Sequence, residues 1–522
     1  MNVYNSTSTH QKTENFPTMC FAKSGITFKL SNGQQINNKF SDILVVGNGF
    51  DLFLGQKTKY SDFFNFIILY QILFFIKNSD LFPKITFSSY FPTEFRCKNS
   101  KLYDLIKIVD VYFETYGKGG ENRYKKLKKA INTNFFKWLL ILIFDNNYSF
   151  LFEKLELEIQ LKIYNVSTSD NLIEDLYKLL SNYQKIIEKS LKNAEKTCNS
   201  WTDVEQFIEY VVLGNHDLQC KFDSIKGAFG DLQFLKDVPN KSSDIYNGLQ
   251  RFCNEFSLYL KAAQKTNDIS TNYNKWNELV DFKNVSEIIN KVYSDSLKVR
   301  SKKIIDNISF LYLKSIIDFN YTKTTDILVD LYEANLKNNN VYKAPFIYHI
   351  NGEIDSNNLI FGYGRNKNIE VSKECLCFEK FTQRVIKNTQ FVDYKNLLAD
   401  KYNVLIFGHS CSLADRDVIE KLLSSDKLGV AVIYCHDIPS LISISNNLQE
   451  ILGQDRMETL LDYSEYIELV SRDPSYALSL SDDDPHLKNY DLFEHDFQKF
   501  HPILFFCVES QNDEFLKIRK SN

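Results

Sequence analysis

The sequence predicts an α/β protein in which a parallel sheet is interrupted by a large helical insertion. The apolar run Ile43–Val46 is typical of a strand buried on both faces, and it ends in a glycine turn at residues 47–49. Similar runs return only after residue 306, where they alternate with helical patterns. The stretch 65–305 consists mainly of long segments with helical spacing. One domain split by an insertion explains this order more simply than three domains in a row.

The composition is that of a globular protein with ample material for a core. The chain has 522 residues and 44% of them are hydrophobic, which argues against global disorder. Its 62 basic and 66 acidic residues leave a net charge of −4, which provides no general attraction to nucleic acid or to an anionic membrane. Ten cysteines without a C-x-x-C pair fit a reducing compartment, and no secretory signal is recognised. We therefore expect a cytoplasmic protein.

Two apolar runs, 63–76 and 135–144, need comparison with membrane-spanning helices. Each is shorter than the roughly 20 residues that cross a bilayer. Asn65, Gln71 and Lys137 also interrupt them. We expect both runs to be buried helices, and no membrane partner is expected.

The elements follow one another in a definite order. The polar residues 1–40 predict a loose lead-in or an edge hairpin, and the first strand with its turn occupies about 42–55. Strands and amphipathic helices then alternate after the insertion, which favours a doubly wound parallel sheet. The predicted strands are 315–319, 345–350, 359–361, 404–407 and 430–435, and the predicted helices lie around 379–400, 415–425 and 438–452. A late apolar run at 503–508 is either a further strand or a docking element.

These elements divide the chain into five segments. The split α/β domain is formed by residues 41–64 and 306–460, with the helical insertion at 65–305 between them. A polar N-terminal segment, 1–40, precedes this domain, and a C-terminal segment, 461–522, follows it.

Ligands of doubly wound sheets bind at the carboxyl ends of the strands, and here those ends are polar. The glycine turn after the first strand allows backbone N–H groups to approach an anion such as a phosphate. The strand-end sequences are Gly47-Asn48-Gly49-Phe50-Asp51, Phe319-Asn320-Tyr321-Thr322, His349-Ile350-Asn351-Gly352 and Gly408-His409-Ser410 with Asp415 shortly after.

Together with Gly55, Thr58-Lys59-Tyr60 and Trp201-x-Asp203-x-Glu205, these motifs resemble, in order, the AbiH family of bacterial abortive-infection proteins. The resemblance extends over most of the span from 43 to 420. It implies a role in antiphage defence. AbiH in turn resembles the sirtuin-like NAD-binding fold, a Rossmann-like sheet of the DHS-like NAD/FAD-binding type.

The resemblance to sirtuin-like proteins implies that NAD is the substrate or ligand, that no metal is needed, and that NAD is hydrolysed to nicotinamide and ADP-ribose. It makes Asn320 the residue that holds the nicotinamide ribose or the attacking water, and His349 the general base. Asp51 and Glu205 complete the candidate catalytic residues. The candidate dinucleotide-binding residues are Gly47, Asn48, Gly49, Phe50, Gly55, Thr58, Tyr321, Gly352, Gly408, His409, Ser410 and Asp415.

The sequence departs from the sirtuin-like pattern at two positions. Thr322 stands where an acidic residue is usual, and Asp51 stands where a small residue is usual. One hypothesis is that Asp51 replaces the missing carboxylate and stabilises positive charge on the sugar. The alternative is that Asp51 caps the following helix. The four-cysteine zinc module of protein deacylases is also missing, which argues against deacylation.

Each of the other candidates has a structural alternative. Asn320 is of a residue type that closes turns, and His349 fits a core histidine as well as a site. His409 fits a space-filling role beside the glycine turn. Glu205 is a catalytic or a structural candidate, because Asp203 and Glu205 point in different directions on a helix.

Two further functions remain open besides NAD hydrolysis. The chain fits a non-catalytic nucleotide-binding sensor or scaffold that engages a phage-derived trigger or a host protein, and homo-oligomers are compatible with either function. The basic residues Arg123, Lys125, Lys126, Lys128 and Lys129 suit an RNA-targeting toxin, but such a run usually forms a solvated helix face, so nucleic acid is not an expected partner.

Overall fold

A computed structural model gives the fold of the protein. It describes residues 18–22, 25–29, 35–38, 41–77, 86–90, 100–116, 120–144, 201–213, 241–267, 313–336, 345–356, 358–364, 371–389, 391–435, 438–461 and 503–508, together with isolated residues between these ranges. Within them the chain is a mixed α/β protein with more helix than strand.

A six-stranded parallel sheet forms the centre of the α/β part. Its order is β6-β5-β4-β7-β8-β9, and all five neighbouring pairs run parallel. The strands are β4 (Ser41–Val46), β5 (Leu313–Asp318), β6 (Phe346–His349), β7 (Tyr402–Phe407), β8 (Leu428–Cys435) and β9 (Ile503–Val508). The late apolar run at 503–508 is therefore a further strand of the sheet.

One predicted strand is wrong. Residues 359–361 do not join the sheet, because other groups satisfy their backbone. The Ile360 N–H donates to the Asn351 carbonyl, and the Gln383 side chain bonds both the N–H and the carbonyl of Phe361. Short apolar runs look alike whether they pair in a sheet or pack as extended coil.

Both faces of the central strand β4 are buried, as its unbroken apolar run predicted. Alternate residues such as Ile43 and Val45 join a core with the helices that follow β7 and β8. Leu44 and Val46 point to the opposite face and are equally buried. The helices of this part are α9 (Thr324–Leu336), α10 (Lys380–Ile386), α11 (Tyr394–Leu397), α12 (Arg416–Leu423), α13 (Ile438–Leu452) and α14 (Gln454–Leu461).

The helices predicted at 415–425 and 438–452 are confirmed, whereas the one at 379–400 is broken. Here α10 ends at Ile386, and α11 begins only at Tyr394. Asn388 lies between them with a φ of 49°, a left-handed conformation that a helix cannot contain. Asp393 then caps α11 by accepting a hydrogen bond from the Asn396 N–H.

The N-terminal residues form a separate antiparallel sheet. Its strands are β1 (Thr18–Ala22), β2 (Gly25–Lys29) and β3 (Gln35–Asn38), paired in that order. Antiparallel pairing, as in the hairpin alternative, is therefore confirmed, but these strands do not lie at the edge of the parallel sheet.

Between β4 and β5 most of the described residues are helical, and the helices from α2 onwards share an aromatic core. Within this core Phe63 of α2 contacts both Phe256 and Tyr259 of α8, with ring centroids 5.1 and 5.4 Å apart. The helices are α1 (Asn48–Phe53), α2 (Tyr60–Lys77), α3 (Phe87–Tyr90), α4 (Ser100–Tyr116), α5 (Gly120–Ile131), α6 (Asn134–Phe144), α7 (Trp201–Leu213) and α8 (Ser242–Thr266).

Among the described helices, α2 has the length and hydropathy of a membrane span, but 72% of it is buried inside the protein. That burial is what a core helix shows, in line with the expectation for residues 63–76.

Candidate functional site

The carboxyl ends of four strands meet in one row. Their registers place Phe407 opposite Val46, Val46 opposite Asp318, and Asp318 opposite His349. Each strand continues directly into one of the motifs found in the sequence. The glycine turn, the asparagine motif, the histidine motif and the Gly-His-Ser motif are thereby brought to the same edge of the sheet.

The glycines at this edge interlock. A Cβ on Gly49 would lie 2.6 Å from the Gly408 Cα, and one on Gly408 would lie 2.2 Å from the Phe50 nitrogen. The Gly49 N–H also donates to the Gly408 carbonyl at 2.8 Å, and Gly408 has a φ of 65°. A Cβ on Gly47 would lie 2.7 Å from the same carbonyl oxygen. The contact between two loops thus accounts for these glycines without any phosphate.

Asp51 lies inside α1 and faces the asparagine motif. Its side chain accepts a hydrogen bond from the Thr322 hydroxyl at 2.7 Å, and Gly47 rather than Asp51 occupies the N-cap position. The helix-cap alternative for Asp51 is therefore wrong. Burial raises the pKa of Asp51 to about 7, although the Thr322 hydroxyl opposes the shift. A buried carboxyl group therefore stands beside Thr322.

Asp318 connects the asparagine with the histidine. Its carboxylate accepts the Asn320 N–H at 2.7 Å and the Thr325 hydroxyl at 2.5 Å, and it lies 3.9 Å from the His349 Nδ1. On the other side of the ring, His349 Nε2 lies 3.1 Å from an Asp326 oxygen. Asn320 and His349 therefore flank one buried carboxylate.

The two buried aspartates and the histidine influence each other's protonation. Burial raises the pKa of Asp318 to about 6, against the opposing charge of His349. Burial acts to lower the pKa of His349, but its hydrogen bond to Asp326 and the Asp318 charge prevail, so the pKa is raised. The site thus holds acid and base groups that titrate near neutral pH.

Several buried polar atoms at this edge have no hydrogen-bond partner in the protein. Asn320 is completely buried, yet neither its Oδ1 nor its Nδ2 is bonded. The Oδ1 of Asp51 and both amide atoms of Gln56 are in the same condition. Leaving such an atom unpaired costs about 1–3 kcal/mol, so this grouping indicates a place for a ligand.

Other predicted binding residues instead bond to or pack against the protein itself. The Thr58 hydroxyl donates to Asn48 Oδ1 at 2.5 Å. The Tyr321 hydroxyl donates to the Ile360 carbonyl, and its ring stacks on Phe361. Phe50 is buried with its ring edge against Phe407. The side chains of Phe50 and Tyr321 therefore lie in the core.

The positions of three further predicted residues have local explanations. Gly55 and Gly352 have φ values of 82° and 80°, so each turn requires a glycine. A Cβ on Gly352 would also lie 2.3 Å from the Asn358 carbonyl oxygen. Ser410 is exposed, and its carbonyl accepts from Asn447 Nδ2.

His409 and Asp415 belong to a buried ion network next to the site. His409 Nδ1 accepts the Cys411 N–H, which leaves Nε2 to donate to Asp415 at 3.3 Å. Asp415 also lies 2.9 Å from the Lys380 ammonium. Burial opposes ionisation of Asp415, yet Lys380 and His409 hold its pKa well below the usual range. The His409 ring packs against Phe319, 4.2 Å between centroids, directly before Asn320.

Glu205 lies at the far end of this network. Its carboxylate is 2.5 Å from the Lys380 ammonium, and both side chains are buried. This contact gives Glu205 a structural role, in which α7 of the helical part is fixed to α10 of the α/β part. The Asp203 side chain, like His436 and Asp437 after β8, lies outside the described residues.

Sequence reasoning missed several residues of this site. Asp318 was available as a signal, because it is an acid inside an otherwise apolar strand. Asp326 and Lys380 gave no signal, since each lies on a helix where charges are common. Gln56 follows Gly55 directly, in a turn where polar residues are common, so it gave no signal either. Only the fold shows that Asp318, Lys380 and Gln56 are buried and that Asp326 meets His349.

Comparison with known proteins agrees with the motifs. The family model for bacteriophage abortive infection AbiH matches residues 43–434. Neither the curated proteins nor the solved structures contain a match to the chain. The matched span includes β4 to β8 and every strand end described above. The chain therefore belongs to the AbiH family of bacteriophage abortive infection proteins.

Proposed function

We propose that this AbiH protein acts in the cytoplasm by binding NAD at the carboxyl edge of the sheet and hydrolysing it. Loss of the cofactor after infection would halt the cell. The observation that carries the proposal is the Asn320 amide, which is completely buried and has no hydrogen-bond partner in the protein. An amide held in this state is prepared for a ligand that offers both a donor and an acceptor, as a ribose and a water molecule do.

The strand order supports a dinucleotide as the ligand. Numbered from β4, the sheet has the order 3-2-1-4-5-6, which is the order of doubly wound dinucleotide-binding folds. In such folds the ligand lies where the strand order reverses, at the first strand. Gly47, Asp51 and Asn320 all follow β4 or its neighbour β5.

The proposed reaction needs few groups from the protein. Water oxygen forms a bond to the anomeric carbon of the ribose, and the bond from that carbon to the nicotinamide nitrogen breaks. The electron pair of the broken bond neutralises the pyridinium ring, and the proton of the water passes to His349. Asn320 would orient the water and a ribose hydroxyl, and Asp51 would stabilise positive charge on the sugar.

The test is NAD consumption by the purified protein, with an infection-derived trigger if one is required. The expected products are nicotinamide and ADP-ribose, and Asn320→Ala or His349→Ala should abolish their formation. Asn447→Ala is the control, because this amide bonds the Ser410 carbonyl on the exposed side of a different loop, the one after β7. An activated preparation that arrests growth but leaves NAD intact would show that the proposal is wrong.

A non-catalytic sensor or scaffold is the second candidate, favoured by an exposed apolar surface. This surface consists of α10 and the loop after it, with large side chains that are 45–61% exposed, namely Phe381, Val385, Ile386 and Phe391. Such a surface suits a phage or host protein. Overexpression separates the two candidates: an enzyme loses toxicity with Asn320→Ala, whereas a scaffold loses it with charged substitutions on this surface.

A further inference from the structure

Gln56 is a buried amide for which the protein supplies no partner. Its side chain is 2% exposed, and neither Oε1 nor Nε2 makes a hydrogen bond. A glutamine at such a position costs stability relative to an apolar residue of the same size. Packing alone therefore does not explain an amide here.

The segment that carries Gln56 is held rigidly beside the site. The Gln56 N–H donates to the Asp51 carbonyl at 2.9 Å, and the Tyr259 hydroxyl of α8 donates to the Lys57 carbonyl at 2.8 Å. Asn267 Nδ2 lies 3.4 Å from the Leu54 carbonyl. Gln56 is thus tied to the backbone of the aspartate whose side chain contacts Thr322.

The chemistry of the unpartnered atoms points to a particular ligand group. The Gln56 amide provides one acceptor and one donor side by side, which matches a primary carboxamide through two parallel hydrogen bonds. Asp51, whose carbonyl accepts the Gln56 N–H, carries a further acceptor without a partner, Oδ1. A carboxylate in the place of a carboxamide would leave Gln56 Oε1 unpaired and would add negative charge to a site that already holds Asp51.

We infer that Gln56 is a specificity-determining residue that recognises the carboxamide of the nicotinamide ring. The inference rests on the proposed NAD-binding function and adds to it the group that the site distinguishes. Gln56 selects the carboxamide dinucleotide against its carboxylate analogue, nicotinic acid adenine dinucleotide. It acts on binding, so its loss affects KM more than kcat.

The experiment compares hydrolysis of the two dinucleotides by the wild-type protein and by Gln56→Leu. The wild type should favour NAD by about tenfold or more in kcat/KM, and Gln56→Leu should reduce this ratio towards one, mainly by raising KM for NAD. Gln71→Leu is the matched control, because Gln71 is a buried glutamine with an unpartnered Nε2 inside the helical core. This control should keep the wild-type ratio.

The outcomes separate this inference from the proposed function. If NAD is hydrolysed and Gln56→Leu keeps the wild-type ratio, the inference is overturned while the hydrolase stands. If the wild type hydrolyses neither dinucleotide, the proposed hydrolase function is wrong. The inference about Gln56 is then tested by measuring the binding of both dinucleotides by calorimetry. Tighter binding of NAD that is lost in Gln56→Leu supports the inference, whereas equal binding or none overturns it.

Discussion

At the scale of single residues, the site is defined by groups that the fold leaves unsatisfied. Asn320 and Asn351 show the contrast, since both are buried asparagines just after neighbouring strands, β5 and β6. Asn351 Nδ2 donates to the Phe319 carbonyl, whereas Asn320 bonds nothing through its side chain. One amide serves the loop, and the other is the one that we propose binds the ligand.

The pH dependence of NAD hydrolysis is expected to report on His349. Its ring must be neutral to accept a proton, so activity should rise with pH through the raised pKa of the histidine. Asp326 stabilises the charged ring, and Asp326→Asn should therefore lower that pKa and move the ascending limb of kcat/KM to lower pH. Asp330→Asn, one turn further along α9, is the control. If the ascending limb of the kcat/KM profile stays at the same pH in Asp326→Asn, His349 is not the general base.

At the scale of elements, the strand–turn–helix units were predictable because short-range patterns determine them. The apolar runs Ile43–Val46, 404–407 and 430–435 each form a strand of the parallel sheet, and the first two lie at its centre with both faces buried. The run at 359–361 carries the same pattern and is not a strand. Its backbone partners come from Gln383, which lies on a different element, and no local pattern contains that information.

The interlock of Gly49 and Gly408 should be the most sensitive backbone feature of the site. Gly408→Ala forces a left-handed residue and a Cβ clash with the Phe50 nitrogen, so it should lower the free energy of unfolding by about 3 kcal/mol or more. Gly453→Ala shares the positive φ, but nothing lies within 4 Å of its Cβ. This control should cost only about 1–2 kcal/mol. Chemical denaturation measures both, and equal losses would mean that the loop contact contributes nothing.

At the scale of the whole molecule, a buried ion network joins the helical part to the α/β part. Lys380 on α10 contacts Glu205 from α7 and Asp415 from the loop after β7. Arg384 adds contacts to Asp415 and Asp417. Glu205 and Asp415 are candidate residues in the sequence, but Lys380, which joins them, is not. Lys380 and Asp415 lie more than 170 residues from Glu205 in the chain, so their meeting depends on the tertiary fold.

Removing the central cation of this network should destabilise the protein strongly. Lys380→Met leaves the buried Glu205 carboxylate without its cation and removes one of the cations around Asp415, so we expect a loss of about 3–5 kcal/mol in the free energy of unfolding. Adding Glu205→Gln should restore part of that loss. Lys125→Met removes an ion pair with Glu121 that is largely exposed, and it should leave the unfolding midpoint almost unchanged. Equal effects of the two lysine substitutions would contradict a structural role for the network.

The central element of the proposed function is the Asn320 amide, which we propose binds the dinucleotide. The direct measurement is the thermal unfolding midpoint of the wild type and of Asn320→Leu, each with and without a carbocyclic NAD analogue that resists hydrolysis. Without ligand, Asn320→Leu should have the higher midpoint, because it removes two unpaired buried groups. The corresponding gain in the free energy of unfolding is about 1–3 kcal/mol. The analogue should raise the midpoint of the wild type alone. A less stable Asn320→Leu whose midpoint responds to the analogue as the wild type does would contradict the claim.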